Sequence, residues 1–208
     1  MKIGINKVIR ILISSDFLLQ TGWGFIGPIF AIFLVKNIGG VSLSMIGFTA
    51  AIYWVTKSIF QPFIAYFFDV KTGEKDDFYC LIGGMYLANL IPLGYLFSNQ
   101  IWHILFLEFI RGLAMAFVIP SWSAIFTRHI DKGWEAFIWS IESTSIGLAL
   151  GFSAAFGGLL ATIFGFNLVF ILTSLFGLAA SSLLFLIRPQ ILSKNHFVPH
   201  QPSEKGIF

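Results

Sequence analysis

Long apolar runs separated by short polar stretches make up most of the chain. Six of them match or exceed the roughly 20 residues that carry a helix across a bilayer: Val8–Val35, Ser44–Phe68, Phe78–Phe97, Ile101–Thr127, Ala136–Phe164 and Phe166–Ile187. The stretches between them leave little slack. "KNIGGVS", "SNQ" and "FGFN" read as tight turns, and "RHIDKGWE" as a charged one. Helices joined so tightly must be antiparallel neighbours. The pattern predicts an all-α fold, a polytopic membrane protein with six transmembrane helices in residues 1–187 and a cytoplasmic tail over 188–208.

Composition agrees. Only 11% of the residues are charged, against about 25% in soluble domains. Mean hydropathy is +0.85. The first apolar run is too long for the core of a cleavable leader and lacks a small-residue cleavage site, so no signal peptide is expected. A single cysteine, Cys80, rules out an intrachain disulfide and a cysteine-based zinc site. The four histidines have no metal-ligand spacing, and no basic, aromatic-interleaved patch suggests nucleic acid. Neither a metal nor any other cofactor is expected.

Positive charge is distributed unevenly. Lys2, Lys7 and Arg10 precede the first span, Lys71 and Lys75 follow the second, and Arg128 and Lys132 follow the fourth. Arg188, Lys194 and Lys205 lie in the tail, and only Lys36 falls at the opposite end of the spans. Lysine and arginine favour the cytoplasmic side, so both termini are expected there. The charged island in "AYFFDVKTGEKDDF" then reads as a cytoplasmic loop between spans two and three. Pro28, Pro62, Pro92 and Pro120 interrupt the first four spans, and glycine is dense in "TGWGFIGP" and "GLALGFSAAFGG". In membrane helices such residues permit close packing and local bending.

Five ionisable residues fall inside spans: Asp16, Lys57, Glu108, Arg111 and Glu142. Each costs at least about 2.5–3.5 kcal/mol near the bilayer centre, so they should face one another or a wet cavity. At about 1.5 Å per residue, Asp16 and Glu142 lie level, a few turns in from the cytoplasmic end. Lys57 and Arg111 fall near mid-membrane. Glu108 and Arg111 are three residues apart on one helix and can pair locally. Three acids against two bases leave one negative charge, which a bound proton, a cationic substrate or an ion would balance. Simpler roles exist for some of them: Asp16 and Glu142 are shallow enough to be wetted, and Lys57 can snorkel.

Four stretches carry a family resemblance. Pro62, Ala65, Asp69, Gly73 and Lys75 follow one another at the end of span two. Gly112 and Pro120 lie in span four, "GLALGFSAAFGGLL" fills span five, and Gly165 and Phe170 open span six. In this order, over about residues 9–187, the chain resembles the N-terminal six-helix half of a major facilitator superfamily transporter. Alanine stands at the first glycine of the loop signature, Val70 replaces a basic residue, and one extra residue precedes Gly73. In span four Glu108 occupies the usual arginine position, with Arg111 nearby.

The resemblance implies a half bundle that moves a small solute by secondary transport, with or without a proton. It implies a cytoplasmic gate at Asp69, Gly73 and Lys75, where the simpler reading is a solvated turn. Asp16, Lys57, Glu108, Arg111 and Glu142 would form the substrate or coupling pathway. Spans one and five are neighbours in that family, so Asp16 and Glu142 would face each other and share a proton. A complete transporter has two such halves in the same orientation, related by an axis along the membrane normal. The tail resembles the start of the linker between halves. A homodimer or a separate second half is therefore expected, with spans two and five at the contact and the lipid bilayer around it.

Two other classes compete. "GFSA" around Ser153 is similar to the glycine-x-serine stretch of rhomboid proteases, but activating a serine needs a histidine in another span. No histidine lies deep in a span, so enzymatic activity is not expected. A receptor, scaffold or degenerate remnant with six spans is the other alternative.

Overall fold

A computed structural model describes residues 5–71 and 73–193, and only the backbone of 68–71 and 193 among them. The apolar runs fold as helices α1 (Lys7–Ile26), α2 (Phe30–Asn37), α3 (Leu43–Lys71), α4 (Glu74–Tyr95), α5 (Ile101–His129), α6 (Glu135–Phe164) and α7 (Phe166–Leu183). Helix α7 tightens into a 3₁₀ turn at Leu184–Ile187 and continues as α8 (Arg188–Ser193), past the predicted start of the tail. Residues 194–208 of the tail lie outside the described residues. Helices α3 to α7 are each long and apolar enough to cross a membrane, and α1 and α2 are so when taken together, bent by 41° at their break.

The bend has a local cause. Pro28 lacks an N–H and its ring excludes the helical carbonyl four residues back, and Gly27 beside it favours the helix little. The chain bridges the gap through Gly27 N–H to Trp23 C=O (3.1 Å) and Ile29 N–H to Ile26 C=O (3.0 Å). Pro62, Pro92 and Pro120 sit inside continuous helices.

The charged island differs from its expected form. It is not a loop: α3 runs to Lys71 and α4 begins at Glu74, capped by Gly73. Glu74, Asp76 and Asp77 occupy the first turn of α4, where the helix dipole favours negative charge. Asp77 accepts from Arg128 Nη1 in the last turn of α5. Glu74 Oε1 is 3.2 Å from His129 Nδ1, although that nitrogen lies nearer the Ile125 carbonyl, at 2.9 Å. Asn6 caps α1 by accepting from Ile9 N–H (3.0 Å) and donates to the His129 carbonyl (2.5 Å). One end of the bundle is thus closed by charge and capping.

The helices pack in the order α3–α5–α4–α7–α1–α6. Lipid supplies no hydrophobic force between helices, so close backbone approach matters. A glycine stands at every step of that order. A Cβ on Gly112 would lie 2.9 Å from Tyr53 O, on Gly84 2.9 Å from Ala114 O, and on Gly22 2.9 Å from Thr173 O. One on Gly177 would collide with the Asn89 side chain, and one on Gly157 would lie 2.7 Å from Phe25 Cα. Apolar side chains fill the remaining space in two clusters. One, around Leu12, Phe78, Leu81 and Phe126, lies toward the capped end, and the other, around Phe33, Tyr95 and Phe170, toward the opposite end.

The terminal helices of the row are covered least. Only 11% of the α3 span and 17% of the α6 span are buried, against 50% for α4. Among the described residues, a Cβ added to Gly47 on α3 or to Gly147, Gly151 or Gly158 on α6 would meet nothing within 4 Å beyond its own stretch of helix.

These two kinds of glycine should respond differently to one methyl group. Gly157→Ala overpacks the α1–α6 crossing and is expected to cost about 1–3 kcal/mol, whereas Gly147→Ala should leave stability unchanged or slightly higher. Thermal melting of both variants in detergent checks this, and equal melting temperatures would contradict the packing assignment.

Candidate functional site

Two polar clusters lie within the bundle, about two turns apart along α1. The first gathers around Arg111 on α5. Its Nε and Nη2 donate to Glu108 Oε2 at 3.0 and 2.5 Å, and Tyr95 OH donates to Glu108 Oε1. Glu108 is 2% exposed, so the pair is deep. The guanidinium carbon lies 3.7 Å from the Tyr53 ring centroid and 4.5 Å from that of Trp23. Lys57 sits beside it, with Nζ 4.0 Å from the Trp54 ring and 5.7 Å from Tyr53. Among the described residues Lys57 has no carboxylate within ion-pair distance.

Asn89, fully buried on α4, holds this cluster in place. Its Oδ1 accepts from Trp23 Nε1 (3.1 Å), and its Nδ2 donates to Gly177 O (3.1 Å) and Ser181 Oγ (3.3 Å). The indole that flanks Arg111 is therefore fixed from behind by an amide bonded to α7.

The second cluster surrounds a cavity of about 210 Å³ between α1, α4, α5 and α6, lined by Asp16, Gln20, Met85, Met115, Trp122, Trp139 and Glu142 among others. Asp16 and Glu142 come from different helices, line the same cavity and interact with each other. Glu142 is 2% exposed, and neither of its oxygens has a donor among the described residues. Trp122 stacks on Phe126 (centroids 4.5 Å apart, 17° between planes) and meets Trp139 edge to face at 6.2 Å.

The structure thus brings together Glu108 with Arg111, and Asp16 with Glu142, and places Lys57 against aromatic rings. At the island, Gly73 caps α4 and Lys75 is exposed. Asp69 falls in the last turns of α3, and its side chain lies outside the described residues. The acid seen to hold a helix end here is Asp77, which sequence reasoning passed over. Asn89 and Tyr95 were also missed. A lone amide in "YLANLIP" was the one available signal for the first. Nothing local marks Tyr95 as the donor to Glu108.

Six apolar spans with charged side chains between them define a polytopic membrane protein. The family model of the Major Facilitator Superfamily matches residues 12–205, and the chain belongs to that family. An uncharacterized MFS-type transporter of Methanocaldococcus jannaschii is 22% identical over 192 residues, covering 92% of this chain and 48% of that protein. The chain therefore spans about half the length of this curated relative. Among solved structures, the POT family transporter PepTSo superposes with a TM-score of 0.68 at 13% identity, over 88% of this chain and 37% of PepTSo. That likeness shows a shared fold.

The Arg111–Glu108 contact gives a paired test. Arg111→Leu leaves Glu108 buried beside Tyr95 alone, and breaking a buried ion pair in this way costs about 3–5 kcal/mol. Adding Glu108→Gln removes the stranded charge and should recover a substantial part of the loss. Melting temperatures in detergent measure both steps. A double variant no more stable than Arg111→Leu would show that local pairing is not what Arg111 does.

Proposed function

We propose that the chain is a six-helix half of a secondary transporter for a small solute, working against a second six-helix unit supplied by another copy or a separate half. Family membership supports transport, and the faces of α3 and α6 support the second unit. Those two helices are the least covered and carry glycines with open space around them. Small residues let membrane helices approach closely. Lys57, on α3, lacks an acidic partner among the described residues, and a wet cavity between two halves would lower its cost in the membrane. In this reading both termini are cytoplasmic, and Asp69, Gly73 and Lys75 belong to the gate at that side.

The mass of the purified protein in lipid nanodiscs tests the pairing. A two-fold particle is expected, and Gly151→Leu should reduce it without lowering the melting temperature of the monomer. A strictly monomeric particle that still transports a solute would remove the second unit from the proposal.

Asp16 and Glu142 serve in this proposal as a coupling pair holding one proton between them. Two adjacent carboxyls resist ionising together, and they titrate as a unit. Flux in proteoliposomes is expected to vary with pH in the wild type and to flatten in Asp16→Asn and in Glu142→Gln. Unchanged pH profiles in both variants would argue against a shared proton.

A further inference from the structure

The geometry points to the Asp16–Glu142 cavity as a recognition site for a small organic ammonium ion, held between the two carboxyls and the indole rings of Trp122 and Trp139. The inference rests on the transport reading above and names the chemical class of its solute.

Charge is the first ground. The cavity lining contains two acids and no base. Glu142 is almost fully buried, with no donor to either oxygen among the described residues. An ionised carboxylate left in that state is costly. A shared proton offsets one of the two charges of the empty pair, and a bound monovalent cation takes its place.

The walls are the second ground. Apart from its polar groups the cavity is lined by two indole rings, by the thioethers of Met85 and Met115, and by the aliphatic side chains of Leu19, Val118, Ile119 and Ile146. Aromatic faces attract cations, and rings set at an angle to one another form cages for quaternary ammonium groups. Trp122 and Trp139 meet at 61°, and Phe126 stacked on Trp122 keeps that ring in place.

A third ground is an unused donor. Trp122 Nε1 is buried and has no acceptor among the described residues. A ligand with an oxygen close to its ammonium group would satisfy it. Size limits the ligand: about 210 Å³ is below the roughly 300 Å³ at which pockets for drug-sized molecules begin. A metal ion fits less well. Among the described residues no three His, Cys, Asp or Glu side chains cluster, and thioethers and indoles offer no hard oxygen ligands.

Choline and its uncharged isostere 3,3-dimethylbutan-1-ol separate charge from shape. Equilibrium binding to the full chain in nanodiscs should be saturable for choline and absent for the alcohol. Glu142→Gln should weaken choline binding by about tenfold or more. Trp139→Leu should weaken it by about 3- to 30-fold, and Trp139→Phe, which keeps an aromatic face, should retain most of it. Glu142→Gln removes a buried charge and is expected to melt no lower than wild type. If it fails to fold, Asp16→Asn provides the same reading. Absence of saturable choline binding, equal binding of the alcohol, or indifference to both acid substitutions overturns the site. Choline binding without uptake into vesicles leaves the site standing and removes the transport reading. Uptake of another solute by a chain that does not bind choline does the reverse.

Discussion

A single buried amide organises the bundle. In lipid, helices gain little from hiding apolar surface against one another, so specificity falls to close contacts and to polar groups that must be satisfied internally. Asn89 meets both needs. It bonds to Gly177 O and Ser181 Oγ on α7, and Gly177 has no side chain to keep it away. Its remaining oxygen takes the Trp23 N–H of α1. With that bond formed, the indole stands as a wall against which the Arg111 guanidinium lies. Arg111 then holds Glu108, and Glu108 accepts from Tyr95 one and a half turns beyond Asn89 on α4. The path leaves α4, passes through α1 and α5, and returns to α4. A change at Asn89 therefore reaches the charged cluster without touching it.

The hinges and the ends of the helices follow from smaller constraints of the same kind. At Pro28 a missing N–H and a neighbouring glycine open the first span, whereas three other prolines are absorbed inside long helices. At the charged island, the acids that looked like loop residues are placed where a helix N-terminus tolerates them. Two of them then meet Arg128 and His129 at the C-terminal end of α5. The island thus couples spans three and four at the end where the N-terminal cap also bonds to α5.

The number, type and approximate limits of the spans were readable because length and hydropathy dictate them directly. The Glu108–Arg111 contact was readable because it is local to one helix. The meeting of Asp16 with Glu142 needed the family resemblance, since neither residue signals which helices are neighbours. Asn89, Tyr95 and Asp77 escaped because their importance arises only after helices distant in sequence have packed. The bend at Pro28 escaped for another reason: four prolines lack the same N–H, and what sets this one apart is the glycine directly before it, Gly27.

The charges inside the membrane acquire a meaning that counting alone did not give. Glu108 and Arg111 cancel within one helix turn. What remains is segregated: Lys57 stands on α3 at one end of the helix row, and Asp16 and Glu142 lie against α6 at the other. A two-fold axis along the membrane normal makes each half meet its partner through reciprocal contacts. Closing two such rows face to face would set the α3 end of each against the α6 end of the other. Each lysine would then face the acid-bearing side of the opposite copy across a shared interior. Under the proposed pairing, the opposite charges at the two ends of one row would be complementary across the water that two halves enclose.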